Sequence, residues 1–119
     1  MMNIIYSIRC KYRCRLWLVI MLCNHYNILI LYIMNKFIAE FLGTLALMFT
    51  ILATGQPIAI GLALALIILV IGGISGGHVN PAVSFAMYLS GKLSQEDLMP
   101  YVIAQISGAI VALELHKRV

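Results

Sequence analysis

The fold of this 119-residue chain is decided by one stretch between apolar segments, Ser75-Gly76-Gly77-His78-Val79-Asn80-Pro81-Ala82. Asparagine is a favoured helix N-cap, and proline suits the first helical position because its missing N–H would be unpaired there. The dipeptide Asn80-Pro81 therefore starts a helix. The apolar run that follows ends at Leu89, about half the length needed to cross a bilayer. It predicts either a helix on the membrane surface or a re-entrant half-helix over about residues 80–89.

The segments on both sides of this stretch have the composition of a membrane protein. The chain is 63% hydrophobic and 10% charged, whereas a soluble domain carries about 25% charged residues. Apolar runs predict spanning helices over about residues 35–54, 57–74 and 95–115, each near the ~20 residues that cross a bilayer. We therefore expect residues 34–119 to form an all-α membrane protein with three transmembrane helices and one re-entrant half-helix.

Small residues recur at helix-face spacing in all three predicted spans. In lipid, such faces let helix backbones approach closely. The pattern predicts a packed bundle in which these residues lie at helix contacts: Ala39 and Gly43; Gly61 and Ala65; and Ala104, Gly108 and Ala112.

Residues 1–33 form a basic and apolar extension that fits this plan poorly. The whole net charge of +4 comes from Arg9, Lys11, Arg13 and Arg15, so it does not indicate a nucleic-acid partner. The extension is not followed by the small-residue cleavage site that a signal peptide needs. A fourth span in this extension would leave too few residues to turn the chain before the next span. Two interpretations stay open: translation begins at Met34, or the extension lies on the cytoplasmic membrane surface.

The three cysteines also lie in this extension. Cys10, Cys14 and Cys23 could be combined with His25 into a zinc pattern, but their spacing matches no common site. We expect reduced thiols, no bound metal and no cofactor.

Three motifs resemble the first half of the major intrinsic protein family, the aquaporins and glycerol facilitators. They are Ala39-Glu40-Phe41-Leu42-Gly43-Thr44, Ser75-Gly76-Gly77-His78-Val79-Asn80-Pro81-Ala82-Val83 and Ala104-Gln105-Ile106-Ser107-Gly108. The resemblance covers about residues 35–115. It implies an integral multi-pass membrane protein that is half of a six-helix bundle built from two inverted repeats. The expected partners are the lipid bilayer, water or small neutral solutes, and either other copies of the chain, as the tetramer that the resemblance implies, or a second half-channel.

The resemblance also implies roles for individual residues. Asn80, Pro81 and Ala82 form the pore motif, in which the Asn80 side-chain oxygen caps the half-helix and leaves its NH₂ group to donate to a passing solute. Backbone carbonyls of the preceding loop form a ladder of acceptors, contributed by Gly76, Gly77, His78 and Val79. The positive end of the half-helix dipole opposes cations and protons.

Other residues are expected to support this pathway. By the resemblance, Glu40 holds the N–H groups of the re-entrant loop with help from Gln105; a proton-transport site at Glu40 is the alternative. His78 is expected to be a packed loop histidine, with a metal or proton-relay role as its alternative. The resemblance places Ile60 at the position of the outer constriction. An aliphatic residue there predicts a wider or less polar filter than that of a strict water channel.

The predicted function is passive passage of water or small neutral solutes such as glycerol. The alternatives are a non-conducting truncated fragment and a small membrane interaction protein, and an antiparallel pair of copies is one way to rebuild a two-repeat pore. No nucleophile–base pair, carboxylate pair or cofactor-binding loop is recognisable, so we do not expect an enzyme.

Overall fold

The computed structural model describes residues 35–119. The expectations for residues 1–33, namely the basic surface segment, the reduced thiols and the choice of start, lie outside the described residues.

The described chain consists of four α-helices and contains no β-strand. Helix α1 is Asn35–Thr54, α2 is Pro57–Ser75, α3 is Pro81–Leu89 and α4 is Gln95–His116. The first, second and fourth are long and apolar enough to cross a membrane. At 1.5 Å per residue, the nine residues of α3 extend about 14 Å, roughly half the hydrocarbon core. The predicted all-α class, with three spans and one half-helix, is confirmed.

Local chemistry sets the ends of these helices. Pro57 begins α2, and Gly76, with φ of 89°, ends it in the left-handed conformation while its N–H bonds to the Gly72 carbonyl. Ser94 caps α4 by accepting from the Asp97 N–H at 3.2 Å. Glu96 and Asp97 lie in the first turn of α4, where their charge is favoured by the helix dipole.

The interior of this fold is small and largely polar. The apolar core consists of Ala39, Ile71 and Val79, with Leu47, Leu64 and Ile67 packed against it. The largest fully buried side chains are those of Gln105, Glu40 and Ser84. A small polar interior is expected for a protein in lipid, because apolar side chains there need no burial and polar side chains need hydrogen-bond partners within the protein.

Glycines bring the helices together at two places. A Cβ atom on Gly108 would meet the Phe41 carbonyl, so α4 crosses the backbone of α1 at this point. A Cβ atom on Gly43 would meet Ile71 of α2 and Val79 of the loop. The expectation of a helix contact is wrong at Gly61 and Ala65. No heavy atom of another helix lies within 4 Å of a Cβ atom built on Gly61, and both residues are exposed. The reason is that this part of α2 faces away from the other described helices.

Candidate functional site

The half-helix α3 begins at Asn80, which is held in an extended conformation with φ of −155°. The Asn80 Oδ1 atom accepts a hydrogen bond from the Ala82 N–H at 2.8 Å, and Pro81 occupies the first helical position. Asn80 is exposed, and its NH₂ group has no hydrogen-bond partner among residues 35–119. An asparagine that caps a helix in this way presents its NH₂ group as a fixed donor next to the positive end of the helix dipole.

The loop from residue 76 to residue 79 has an unusual backbone. Gly76 and Gly77 have φ of 89° and 63°, and Val79 has φ of 43°. Glycine adopts positive φ without strain, but a β-branched residue rarely does. The surrounding structure must therefore hold Val79 in this conformation.

The fully buried carboxylate of Glu40 holds this loop. Its Oε1 atom accepts from the His78 N–H at 2.9 Å and from the Ser75 hydroxyl at 2.6 Å. Its Oε2 atom accepts from the Val79 N–H at 2.6 Å and from Gln105 Nε2 at 2.9 Å. All four donors are neutral groups, and hydrogen bonds to an ionised acceptor are roughly twice as strong as those between neutral groups. The carboxylate thus ties α1, the loop and α4 together.

Gln105 extends this network to the half-helix. Its Nε2 atom also donates to Ser84 Oγ at 2.8 Å, and Ser84 Oγ lies 3.1 Å from His78 Nδ1. The Ser84 hydroxyl can accept from Gln105 and donate its single hydrogen to His78 Nδ1. Among the described side chains, the buried Oε1 atom of Gln105 is left without a hydrogen-bond partner.

Three residues of this network were missed in the sequence reasoning: Ser75, Ser84 and Tyr101. The Tyr101 hydroxyl donates to the Ser75 carbonyl at 2.7 Å, at the last residue of α2. The Tyr101 ring lies 5.2 Å from the His78 ring and 5.7 Å, edge-on, from Phe37. Helical spacing could have found Tyr101, because it shares one buried face of α4 with Gln105, Gly108 and Ala112.

Most of the predicted site residues therefore lie together, but Ile60 does not. The structure brings Glu40, Gln105, His78 and Val79 into one hydrogen-bonded network, directly before Asn80 in the chain. Gly77 joins it through the Ser75 hydroxyl, whereas the Gly76 N–H bonds to the Gly72 carbonyl. Ile60 lies in the first turn of α2, half-buried. Fifteen residues separate it from Ser75, which is about 22 Å along the helix axis. It therefore lies at the opposite end of α2 from the loop.

Three helices that are long and apolar enough to cross a membrane, with the short helix α3 between the second and the third, define this chain as an integral, multi-pass membrane protein. The family model described as Major intrinsic protein matches residues 54–119, more than half of the chain. The chain belongs to the major intrinsic protein family.

Named relatives come from several bacteria. The chain is 50% identical over 88 residues to glycerol uptake facilitator protein-like 6 of Lactiplantibacillus plantarum, a match covering 66% of this chain and 41% of the relative. It is 43% identical over 94 residues to aquaporin Z of Brucella melitensis, with the same two coverages. It is 39% identical over 97 residues to aquaporin Z of Bradyrhizobium diazoefficiens, covering 69% of this chain and 40% of that protein. The chain spans about two fifths of the length of these relatives.

Proposed function

We propose that this chain forms one wall of a membrane channel for water or small neutral solutes such as glycerol. The observation that carries the proposal is the exposed Asn80, whose oxygen caps α3 at 2.8 Å while its NH₂ group stays available. Irregular backbone at membrane depth is tolerated where it lines water or is covered by protein. A loop and a helix N-terminus with an available donor fit a water-lined surface.

The proposed pathway exchanges hydrogen bonds with a solute along its length. The NH₂ group of Asn80 donates to the oxygen of water or of a hydroxyl group, and the carbonyls of residues 76–79 accept from its hydrogens. The positive end of the α3 dipole disfavours cations and protons at the same point. Ile60 is the proposed constriction residue at the other end of α2, and its aliphatic side chain favours a filter that admits solutes larger than water. The chemistry is passage without reaction, so the proposal includes no enzymatic step and no cofactor.

A complete pathway needs a second wall. Asn80, Val83 and Phe85 all lie on the exposed surface of the described residues. We propose that a second half-channel covers this surface, as further polypeptide or as another copy of the chain. The competing hypothesis is a membrane protein that does not conduct, either as a truncated fragment or as an interaction protein.

The test measures solute flux through liposomes that contain the purified chain. Vesicle shrinkage and swelling are followed by stopped-flow light scattering under sucrose and glycerol gradients, for the wild type and for Asn80→Asp. Aspartate is as good an N-cap as asparagine, so α3 keeps its start while the pathway loses two N–H donors and gains a negative charge. The loss of one solute hydrogen bond, about 1.5 kcal/mol, corresponds to a flux reduction of about tenfold.

The matched control is Asn35→Asp, which makes the same chemical change at the exposed start of α1. We expect this variant to conduct like the wild type. Wild-type vesicles that respond no faster than empty vesicles would support the non-conducting hypothesis. Equal flux for Asn80→Asp and the wild type would contradict the role of Asn80.

A further inference from the structure

We propose that Gly43 and Val79 form a positioning pair that sets the backbone of the pathway loop. The inference rests on the proposed channel function, since it assigns a role in shaping that pathway. Val79 is the only residue other than glycine with positive φ among residues 35–119. The φ angle of Val79 sets the orientation of the loop peptides relative to Asn80. It therefore affects both the direction of the loop carbonyls and the position of the first residue of α3.

The first observation is that Val79 keeps a conformation that its own side chain disfavours. A β-branched residue at φ of 43° is an outlier, and such outliers persist only where several contacts fix them at once. The backbone of Val79 has one such contact, the 2.6 Å hydrogen bond from its N–H to Glu40 Oε2. One hydrogen bond fixes the position of the amide group, but it leaves rotation about the neighbouring bonds open.

The second observation is that the Val79 side chain packs directly against the backbone of Gly43. We call the space beside Gly43 the socket, because a side chain at position 43 would fill it. Val79 is 4% exposed and packs with Ala39 and Ile71. A Cβ atom on Gly43 would lie 2.7 Å from Val79 Cγ1, 2.6 Å from Ile71 Cδ1 and 3.1 Å from Ile67 Cγ2. The Ile71 Cδ1 atom can move aside by rotation about χ2, and Ile67 Cγ2, at 3.1 Å, needs to shift by only a few tenths of an ångström. Valine branches at Cβ, so its Cγ1 atom moves only if χ1 or the backbone changes.

The two contacts come from one face of α1. Glu40 and Gly43 are three residues apart, the spacing of neighbours on a helix surface. Helix α1 therefore holds the Val79 amide through Glu40 and the Val79 side chain through the socket at Gly43. Together they specify the conformation that either contact alone would leave free.

The test compares Gly43→Ala with the double variant Gly43→Ala/Val79→Ala and with the control Gly61→Ala. In the double variant, the shorter side chain at position 79 leaves room for the new Cβ atom at position 43. Gly61 is a matched control because no heavy atom lies within 4 Å of a Cβ atom there. Two quantities are measured: glycerol and water flux in liposomes, and hydrogen exchange of the His78 and Val79 amides in detergent micelles.

We expect Gly43→Ala to speed exchange of the two loop amides by about tenfold or more, because the loop opens more often. The same variant lowers flux, the double variant recovers most of both properties, and Gly61→Ala behaves like the wild type. Equal exchange in Gly43→Ala and Gly61→Ala, or no recovery in the double variant, would overturn the proposal. Exchange is read whether or not the vesicles conduct, so failure of the positioning pair is distinguishable from failure of the channel function.

A second variant covers the case in which Gly43→Ala does not fold. Val79→Gly relieves the backbone strain and keeps the N–H that bonds to Glu40, but it empties the socket. If the side chain positions the loop, exchange of the His78 amide and of the backbone amide at position 79 rises in spite of the relieved strain. Unchanged or slower exchange would show that the Glu40 hydrogen bond is sufficient, and the proposal would be wrong.

Discussion

The inner face formed by α1, α3 and α4 differs from the long helix α2 in the kind of side chain that it buries. The inner face buries Glu40, Ser84 and Gln105 completely. Residues 58–74 of α2 carry no polar side chain, and most of this helix is exposed, with Ile58 and Leu69 at 80% and 79%. In water this arrangement would be unstable. In lipid it is favourable, because exposed apolar surface carries no penalty and buried polar groups find partners within the protein.

The difference shows where the specific structure is encoded. Helix α2 contributes only Ile71 and Ser75 to the buried residues, both in the last turns before the loop. Hydrogen bonds to Glu40 and close glycine contacts determine how the remaining elements fit together. Substitutions on the inner face should therefore change stability much more than substitutions of similar size on α2.

The largest effect is expected from Glu40→Leu. This change leaves four donors without their acceptor: the Ser75 hydroxyl, the Gln105 NH₂ group and the N–H groups of His78 and Val79. A buried group left unsatisfied costs about 1–3 kcal/mol, so we expect the free energy of unfolding to fall by about 4 kcal/mol or more. Equilibrium unfolding by SDS in mixed micelles measures it.

The control for this prediction is Leu66→Ala on the exposed face of α2. Leu66 is 62% exposed, and we expect its truncation to change the free energy of unfolding by less than about 1 kcal/mol. If the two variants lost the same stability, the contrast between the inner face and α2 would be false.

The features that could be predicted from the sequence are those with local causes. The apolar run lengths and the Asn80-Pro81 dipeptide predict the three spans and the half-helix, because cap chemistry and span length act within a few residues. Glycines at positions 76 and 77 permit the positive φ that the structure shows there. The resemblance pointed to Glu40 and Gln105, which carry polar groups in otherwise apolar segments.

The features that could not be predicted depend on neighbours that are distant in the chain. Gly43 and Gly61 both occur at helix-face spacing, yet one faces Val79 and the other has nothing within 4 Å. A valine with positive φ contradicts local preference and is held only by the contacts around it. Helical spacing places Tyr101 on the buried face of α4, but its partner is a backbone carbonyl at the end of α2, and no side-chain pattern marks a carbonyl as a partner.

An intermediate effect is expected from Gly108→Ala, and it sharpens the comparison because Gly61→Ala makes the same change on α2. The new Cβ atom at position 108 would meet the backbone carbonyl of Phe41 and lie 3.2 Å from the Leu45 nitrogen. Backbone atoms cannot move aside unless α1 shifts, so we expect a loss of about 1–3 kcal/mol. At Gly61 the space is open, and alanine should gain about 0.5–1 kcal/mol from its helix propensity. Unfolding in SDS measures both, and a loss at Gly61 as large as that at Gly108 would contradict the open face of α2.

The smallest effect is expected from the ion pair between the starts of α1 and α4. Lys36 Nζ lies 2.8 Å from both carboxylate oxygens of Asp97, and the two side chains are 16% and 24% exposed. Lys36 also lies 5.2 Å from the centre of the Phe37 ring. Partial exposure keeps water close to both charges, so we expect a coupling free energy of about 1 kcal/mol at most.

A double-mutant cycle with Lys36→Met and Asp97→Asn isolates this coupling from the separate interaction of Asp97 with the α4 dipole. The matched control is the pair of Lys117 and Glu114, which is 2.7 Å long but 57% and 53% exposed. Its coupling should be near zero. Raising the salt concentration from about 0.1 M to about 1 M should weaken the Lys36–Asp97 coupling, since the screening length falls from about 10 Å to about 3 Å. A coupling that exceeds the loss in Glu40→Leu would mean that the helix ends, and not the buried carboxylate, hold α1 against α4.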